Sequence, residues 1–193
     1  NSILICDDTN SMIDLGVGSS VLKEVVNEVK ISDVVFSHCH EDHIAGSFLL
    51  PKARFYAHTL DTDAIESLDK LKERYLVRGT DLEEMYDKAF FEVLNLKNRH
   101  IDEQVTDGYV FDLGRTRLKV IHTPGHSAGH CCFLDQSSGV LFLADIDLSA
   151  FGPWYGCADS DIDHFISSIQ KLISLKAEIA VSSHKGIIKS DLA

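Results

Sequence analysis

The sequence predicts an α/β protein in which two β-sheets lie between outer layers of helices, a four-layer αββα sandwich. Strand-like apolar runs and helical segments alternate along the chain, first as ββ-α-β and later as ββββ-α-β, so each half supplies a sheet and a helix. Several apolar runs stop at a histidine or an acid, as strands do when they deliver side chains to a sheet edge. A length of 193 residues suits one well-buried domain, 1–193.

The N-terminal half is predicted to open with two short strands at residues 3–6 and 11–14, joined by a turn-rich connection. Apolar residues between 21 and 29 recur at helical spacing after two serines that are cap candidates, which predicts an amphipathic helix. Strands at 33–36 and 54–57 complete this half of the chain.

Residues 60–98 are interpreted as a helical insertion. Apolar side chains at helical spacing predict one helix over 65–75 and another over 82–93, separated by a linker with a glycine stop and a new cap residue. An insertion at this place would cover or flank the site, and it would shape substrate access or form a homodimer contact. A purely scaffolding role is the alternative.

The C-terminal half is predicted to contain strands at 104–111, 117–122, 131–134, 140–143 and 179–181, with a helix over 162–175. Residues 151–156 are rich in glycine and aromatic side chains, as substrate walls often are. Within them, Tyr155 is a candidate substrate-binding residue because its hydroxyl could polarise a carbonyl. Packing is its alternative role.

The stretch SHCHEDH at residues 37–43 places three imidazoles and the carboxylate of Asp42 directly after an apolar run. Imidazole nitrogen and carboxylate oxygen are ligands that zinc, iron and manganese share. Three later apolar runs also stop at ligand-type residues: His126 follows the first within a TPGH turn, Asp145 ends the second and His184 ends the third. A single histidine at a strand end is usually only hydrogen-bonded, but four such stops in series predict a metal site.

The order H-x-H-x-D-H, T-P-G-H, strand-end acid and strand-end histidine resembles the metallo-β-lactamase superfamily of hydrolases. The resemblance runs from Asp14-Leu15-Gly16, which is similar to the family's early D-x-G turn, to His184. It implies the family's fold and two divalent metal ions, with zinc expected and iron or manganese as alternatives. The implied ligands are, for the first metal, His38, His40 and His126; for the second, Asp42, His43 and His184; and, as the bridge, Asp145.

The activity that the resemblance implies is hydrolysis of a carbonyl ester, thioester or lactone by a metal-bridging hydroxide. Three neutral imidazoles leave a tetrahedral metal one open position, as catalytic sites do. Asp42 and Asp145 are the candidate catalytic carboxylates. A metal-bound acid, for which Asp42 is the candidate, or a metal-bound water would return a proton to the leaving group. A mononuclear-iron persulfide dioxygenase that uses only the first site is the alternative, followed by a phosphodiesterase or nuclease of the same fold.

The resemblance also bears on the substrate. Glyoxalase II-like thioesterases share the T-P-G-H pattern, but they bind glutathione largely through a helical region after the last ligand, and only residues 185–193 follow here. Lactonases resemble this chain in having a helical insertion between the ligand groups and a tyrosine after the bridging acid. Thioester and lactone both stay open.

Charge and composition restrict the classes of partner that the protein is expected to bind. The net charge is −12, with 18 basic against 30 acidic residues, whereas proteins that bind nucleic acid usually present a basic face. No apolar run approaches the roughly 20 residues of a membrane span, and no signal peptide is recognised. Five cysteines without framework spacing predict free thiols in a reducing cytoplasm. A small-molecule substrate, no nucleic acid and no membrane are therefore expected.

Three residues beside the motifs carry their own predictions. Asp14 is either an acceptor for the outer nitrogen of a ligand imidazole or a turn acid with local backbone bonds. Cys39 alternates with the ligand histidines along an extended segment, so it is expected to point away from the metal and to pack in the interior. His58 ends a predicted strand but belongs to no motif, and it is interpreted as structural.

Overall fold

The computed structural model describes residues 1–146 and 153–189. Two mixed sheets pack face to face, with helices on both outer sides, so the predicted αββα sandwich is confirmed. The first sheet contains, in spatial order, β1 (Ile3–Ile5), β2 (Ser11–Ile13), β3 (Asp33–Val35), β4 (Arg54–His58) and β5 (Glu103–Val105). The second sheet runs in the order β11-β10-β9-β8-β7-β6, and its strands are β6 (Val110–Asp112), β7 (Arg117–His122), β8 (Cys131–Asp135), β9 (Val140–Ala144), β10 (Ile179–Ser182) and β11 (Gly186–Lys189).

Helices connect the strands and fill the outer layers. They are α1 (Ser19–Glu28), α2 (Glu41–Ile44), α3 (Thr62–Glu66), α4 (Leu68–Arg74), α5 (Glu83–Asp87) and α6 (Ile162–Ser174), with a 3₁₀ turn at Ser47–Leu49 and a π-helix at Lys88–Val93. The longest of these described helices, α6, has 13 residues, and none of them combines the length and the apolar character that a bilayer span requires.

Three apolar clusters fill the three spaces between the four layers. In the first, Leu22 of α1 and Ile65 of α3 pack against Phe55 of the first sheet. The second lies between the sheets and includes Tyr56 from one sheet and Phe133 from the other. The third packs α6 against the outer face of the second sheet; its buried members are Ile121, Cys132, Leu141, Ile146, Phe165 and Leu172. Burial on this scale is the main force that holds the layers together.

The strand directions bring several loops to one edge of the sandwich. Strands β2, β3 and β4 run parallel, so their carboxyl ends lie side by side. In the second sheet β9 and β10 run parallel, and β8 is antiparallel to β9, so the β7–β8 loop lies beside the end of β9. The backbone N–H of Cys131 donates to the carbonyl of Ser37 at 2.8 Å, which joins the two edges.

Two predictions about elements were wrong. The expected helix over 65–75 is broken at Ser67, whose backbone is extended and whose hydroxyl accepts from Lys70 N as the cap of α4. The expected strand over 104–111 is two strands in different sheets, because the chain turns at Gly108 with a positive φ of 84°. The second insertion helix, expected over 82–93, is a short α5 that continues as the π-helix, and β11 was not predicted.

Candidate metal centre

Four segments at the shared sheet edge carry the predicted ligands. The segment after β3 carries His38 and His40 and leads into α2, which carries Asp42 and His43. The other three ligands are His126 in the β7–β8 loop, Asp145 directly after β9 and His184 after β10. Residues from both sheets and from distant parts of the chain therefore meet at one place.

The first group of candidate ligands consists of three buried imidazoles. His126 Nε2 lies 3.2 Å from His38 Nε2 and 2.9 Å from His40 Nδ1, so one nitrogen of each ring points to a common centre. Burial lowers the pKa of all three imidazoles, and neighbouring histidines lower it further. The rings are therefore neutral and keep the lone pairs that a cation needs.

A second group, Asp42, His43 and His184, lies beside the first, and Asp145 lies between the two. Asp145 Oδ2 is 3.5 Å from His126 Nε2 and 3.2 Å from His184 Nε2, whereas Oδ1 is 3.1 Å from His43 Nε2. Asp42 Oδ2 is 3.6 Å from His43 Nε2 and 3.8 Å from His184 Nε2. The acid that was predicted to bridge is thus the one that contacts both groups.

Two atoms of this centre test whether a cation fits. His43 Nε2 and Asp145 Oδ1 are buried and lie 3.1 Å apart, and neither has another hydrogen-bond partner among the described residues. An imidazole nitrogen and a carboxylate oxygen this close together can both donate lone pairs to one cation. Burial alone would raise the pKa of Asp145, but the hydrogen bonds from His184 and His43 hold it well below its usual range, so the carboxylate is anionic. Five imidazoles with two carboxylates suit the divalent ions that accept nitrogen and oxygen ligands.

Asp14 fixes the ring of His43. Its Oδ2 accepts from His43 Nδ1 at 2.8 Å and from the Ser37 hydroxyl at 2.7 Å, while Oδ1 accepts from Ser37 N at 2.7 Å. Ser37 Oγ lies 2.9 Å from His38 Nδ1 and so orients the next ring as well. The interpretation of Asp14 as an outer acceptor for a candidate ligand is therefore supported over the turn-acid alternative. Gly16 belongs to the same turn, and a Cβ there would lie 1.5 Å from the carbonyl oxygen of Asp42.

The other two imidazoles of the first group have contacts from the segment after residue 152. His126 Nδ1 donates to the carbonyl of Trp154 at 2.9 Å, which directs Nε2 into the centre. In His40 the roles of the two ring nitrogens are exchanged. Its Nδ1 points into the centre, and its Nε2 lies 3.4 Å from Cys157 Sγ. Neither contact had a signal in the sequence, because each depends on how distant loops fold together.

The TPGH turn is held in place by α6. Gly125 has a φ of 132°, and a Cβ there would lie 2.4 Å from the backbone of Phe165. The carbonyl of Gly125 accepts from Asp161 N at 2.9 Å, and Asp161 caps α6 by accepting from His164 N. The glycine of this motif therefore permits close packing of the turn against the start of α6.

His130 is a functional candidate that sequence reasoning passed over, although it is the last residue of the TPGHSAGH segment. It is buried, and its Nε2 accepts from the backbone N–H of Asp145 at 3.2 Å. Its Nδ1 lies 2.9 Å from the hydroxyl of Thr123. Burial lowers the pKa of His130 well below the usual value, so the ring is a neutral acceptor that positions Asp145.

Other predicted residues have separate outcomes. Cys39 is fully buried in the cluster between the first sheet and its helices, as expected for a packing residue. His58 is also buried and stacks on His122 with ring centroids 4.0 Å apart, which agrees with a structural role. Tyr155 is 52% exposed, and its substrate role stays a prediction. Phe151 and Gly152 of the same aromatic segment lie outside the described residues.

The αββα layers and the histidine-rich cluster at their shared edge define a class of α/β proteins that bind metal ions at this place. The family model described as the metallo-beta-lactamase superfamily matches residues 1–184, and the chain belongs to this superfamily. Members of this family are mostly metal-dependent hydrolases.

Comparison with individual proteins supports the same family. The chain is 25% identical over 182 residues to a hydroxyacylglutathione hydrolase of Francisella tularensis subsp. novicida, covering 91% of this chain and 58% of that one. It thus spans less than two thirds of the length of this relative. TTHA1623, solved in a di-iron-bound form, superposes with a TM-score of 0.75 at 21% identity, covering 98% of this chain and 89% of that chain. TTHA1429, a metallo-beta-lactamase family protein from Thermus thermophilus, gives a TM-score of 0.75 at 20% identity, covering 98% of this chain and 69% of that chain. The solved structures support the fold alone.

Proposed function

We propose that this chain is a binuclear metal-dependent hydrolase of a small carbonyl ester, thioester or lactone, with zinc as the expected metal. The observation that carries the proposal is the convergence of two ligand groups on one acid. Three neutral imidazoles form one group, two imidazoles and Asp42 form the other, and Asp145 contacts both. His43 Nε2 and Asp145 Oδ1, which are buried 3.1 Å apart, support a cation at the second group.

When bound, a pair of divalent ions supplies an acidified water and an electrophile for the substrate carbonyl oxygen. The residues that would hold it are, for one ion, His38, His40 and His126; for the other, Asp42, His43 and His184; and, for both, Asp145. Asp145 stays anionic there because the surrounding imidazoles stabilise its charge. Asp14, Ser37 and the Trp154 carbonyl keep the rings of these histidines in place, so little reorganisation is needed when substrate binds.

Asp42 is the candidate that transfers a proton to the leaving group. Its carboxylate is 44% exposed, whereas that of Asp145 is 12% exposed, so Asp42 lies nearer to solvent and to an entering substrate. Its Oδ2 also accepts from the Asn1 amide at 2.5 Å, which holds the carboxylate towards the centre. Because Oδ2 is the oxygen that faces the second group, the other oxygen, Oδ1, would take the proton released by the attacking water and pass it to a leaving alkoxide or thiolate.

The second ligand group favours a hydrolase over a mononuclear dioxygenase. A single iron would need only His38, His40 and His126, yet Asp42 and His184 lie 3.8 Å apart with His43 beside them. The relative named hydroxyacylglutathione hydrolase makes a glutathione thioester the first substrate to try. The acidic net charge of −12 favours a small substrate over a nucleic-acid backbone.

The test combines metal analysis with one substrate panel. Metal-replete protein is assayed on a thioester, a lactone and a phosphodiester, and oxygen consumption is followed with a persulfide. We expect two zinc ions per chain, hydrolysis of a carbonyl substrate and no oxygen uptake. His40→Ala and Asp145→Ala should each lose metal and most of the activity. Full activity and full metal content in both variants would contradict the proposal, and one iron with oxygen uptake would replace it with the dioxygenase.

A further inference from the structure

Asp61 is a fully buried carboxylate that contacts both loops of the first ligand group. Its Oδ2 accepts at 3.1 Å from the backbone N–H of Cys39, the residue between the two histidines of the first loop. The same oxygen accepts from the Ser127 hydroxyl at 2.7 Å, and Oδ1 accepts from Gly129 N at 2.8 Å. Both of these groups belong to the loop that carries His126. One side chain therefore fixes the backbone of both loops.

Arg74, the last residue of α4 in the helical insertion, neutralises this carboxylate. Its Nη1 donates to Asp61 Oδ1 at 2.7 Å and to Asp159 Oδ2 at 2.8 Å, and Nη2 donates to the carbonyl of Leu60 at 2.6 Å. Asp159 in turn accepts from the backbone N–H of Ala128 at 3.0 Å. The guanidinium is 14% exposed, so it lies within this network and is not a solvated surface cation.

The backbone of Arg74 reaches a third segment. Its carbonyl oxygen accepts from Ala158 N at 2.7 Å, next to Cys157, whose sulfur lies 3.4 Å from His40 Nε2. The planar guanidinium donates to three carboxylates, those of Asp61, Asp159 and Asp63, and to a carbonyl, in directions that its rigid fork fixes. An ammonium on a flexible stem has no such fork. Without the cation, Asp61 would be a buried, unpaired charge, and the loops that it holds would have to shift to admit water.

We propose that Arg74 is a positioning residue through which the helical insertion sets the geometry of the first ligand group. This inference rests on the proposed function, because it takes His38, His40 and His126 as metal ligands. The insertion then does more than cover the sheet, because the positions of the three histidines of the first group depend partly on it.

The same helix offers a matched control. Lys72 is 7% exposed, and its ammonium donates at 2.8 Å to Glu83 and at 2.8 Å to Asp87. Both acids belong to α5 of the insertion, and neither belongs to a ligand loop. Lys72→Met therefore removes a comparably buried cation from α4 without affecting the contacts of Asp61.

The experiment measures zinc affinity by competition with a chromophoric chelator. A His184→Ala background lacks one ligand of the second group, which weakens the site that would compete with the first group for zinc. We expect Arg74→Met to weaken zinc binding by about 10–100-fold, the usual effect of losing an outer partner of metal ligands, and Lys72→Met to keep the parent affinity. Equal affinities in the two variants, whether both unchanged or both reduced, would overturn the inference.

Two further outcomes are decisive. If the unsubstituted protein binds no divalent metal, the proposed function fails and this inference fails with it. If the unsubstituted protein binds metal and Arg74→Met keeps the parent zinc affinity, the inference alone fails. Should Arg74→Met not fold, Arg74→Lys decides, because it keeps the charge but not the fork of donors. Parent affinity in a folded Arg74→Lys variant would refute positioning by the guanidinium.

Discussion

Replacing Asp14 by alanine should damage both stability and metal binding. The carboxylate is buried and accepts from the backbone and the hydroxyl of Ser37 and from His43 Nδ1. Its removal leaves three buried donors without their partner, and at about 1 kcal/mol or more for each, the expected loss in free energy of unfolding is about 3 kcal/mol. His43 also loses the contact that fixes its ring, so zinc affinity should fall by about 10–100-fold.

Urea unfolding of metal-free protein measures the first effect, and chelator competition measures the second. Asp33→Ala is the matched control, since Asp33 is buried in the neighbouring strand and its side chain bonds to Arg54 and Tyr56, neither of which is a candidate ligand. It should lower stability but leave zinc affinity unchanged. The reasoning about Asp14 is refuted if Asp14→Ala binds zinc as tightly as Asp33→Ala does.

Three further outcomes are expected. Burial next to His122 lowers the pKa of His58 to about 4, so as pH falls the unfolded chain binds a proton at this residue before the folded protein does. The free energy of unfolding of metal-free protein should therefore fall by of order 1–3 kcal/mol between about pH 6.5 and pH 4. Urea unfolding at each pH measures this loss as the difference from His58→Phe. Gly125→Ala should cost about 1–3 kcal/mol and lower the Tm, because a Cβ at φ 132° meets the backbone of Phe165; an unchanged Tm would contradict this. Treatment with EDTA should lower the Tm and added zinc should restore it, because ligand binding to the folded state alone stabilises it; a Tm insensitive to both would argue against a metal centre.

The convergence of the candidate ligand residues could be predicted because their signals are local. Each ends a strand or belongs to a short motif, and the parallel order of strands then brings strand ends together. Asp61 had no such signal. It stands at the N-cap position of α3, where an aspartate normally caps the helix, but its side chain makes no cap bond and instead binds distant loops. A tertiary network of this kind leaves no periodic pattern in the sequence.

The errors in the predicted elements have different origins. Apolar spacing continues through Ser67, so periodicity alone could not reveal that the helix breaks there. The break in the expected strand over 104–111 had a local signal in Asp107-Gly108, a common turn pair that the prediction did not use. Strand β11 is short and lies at the sheet edge, where pairing is decided by the neighbouring strand.

The candidate ligands come from both sheets, and this bears on the order of folding and metal binding. His38 follows a strand of the first sheet and His184 follows a strand of the second, so a metal centre that uses both residues would be complete only after the last strands have docked onto the rest. Contacts between such remote positions form late in folding because long loops must close first. Metal binding would then follow folding, and it would stabilise the contact between the two sheets of a chain that has already folded.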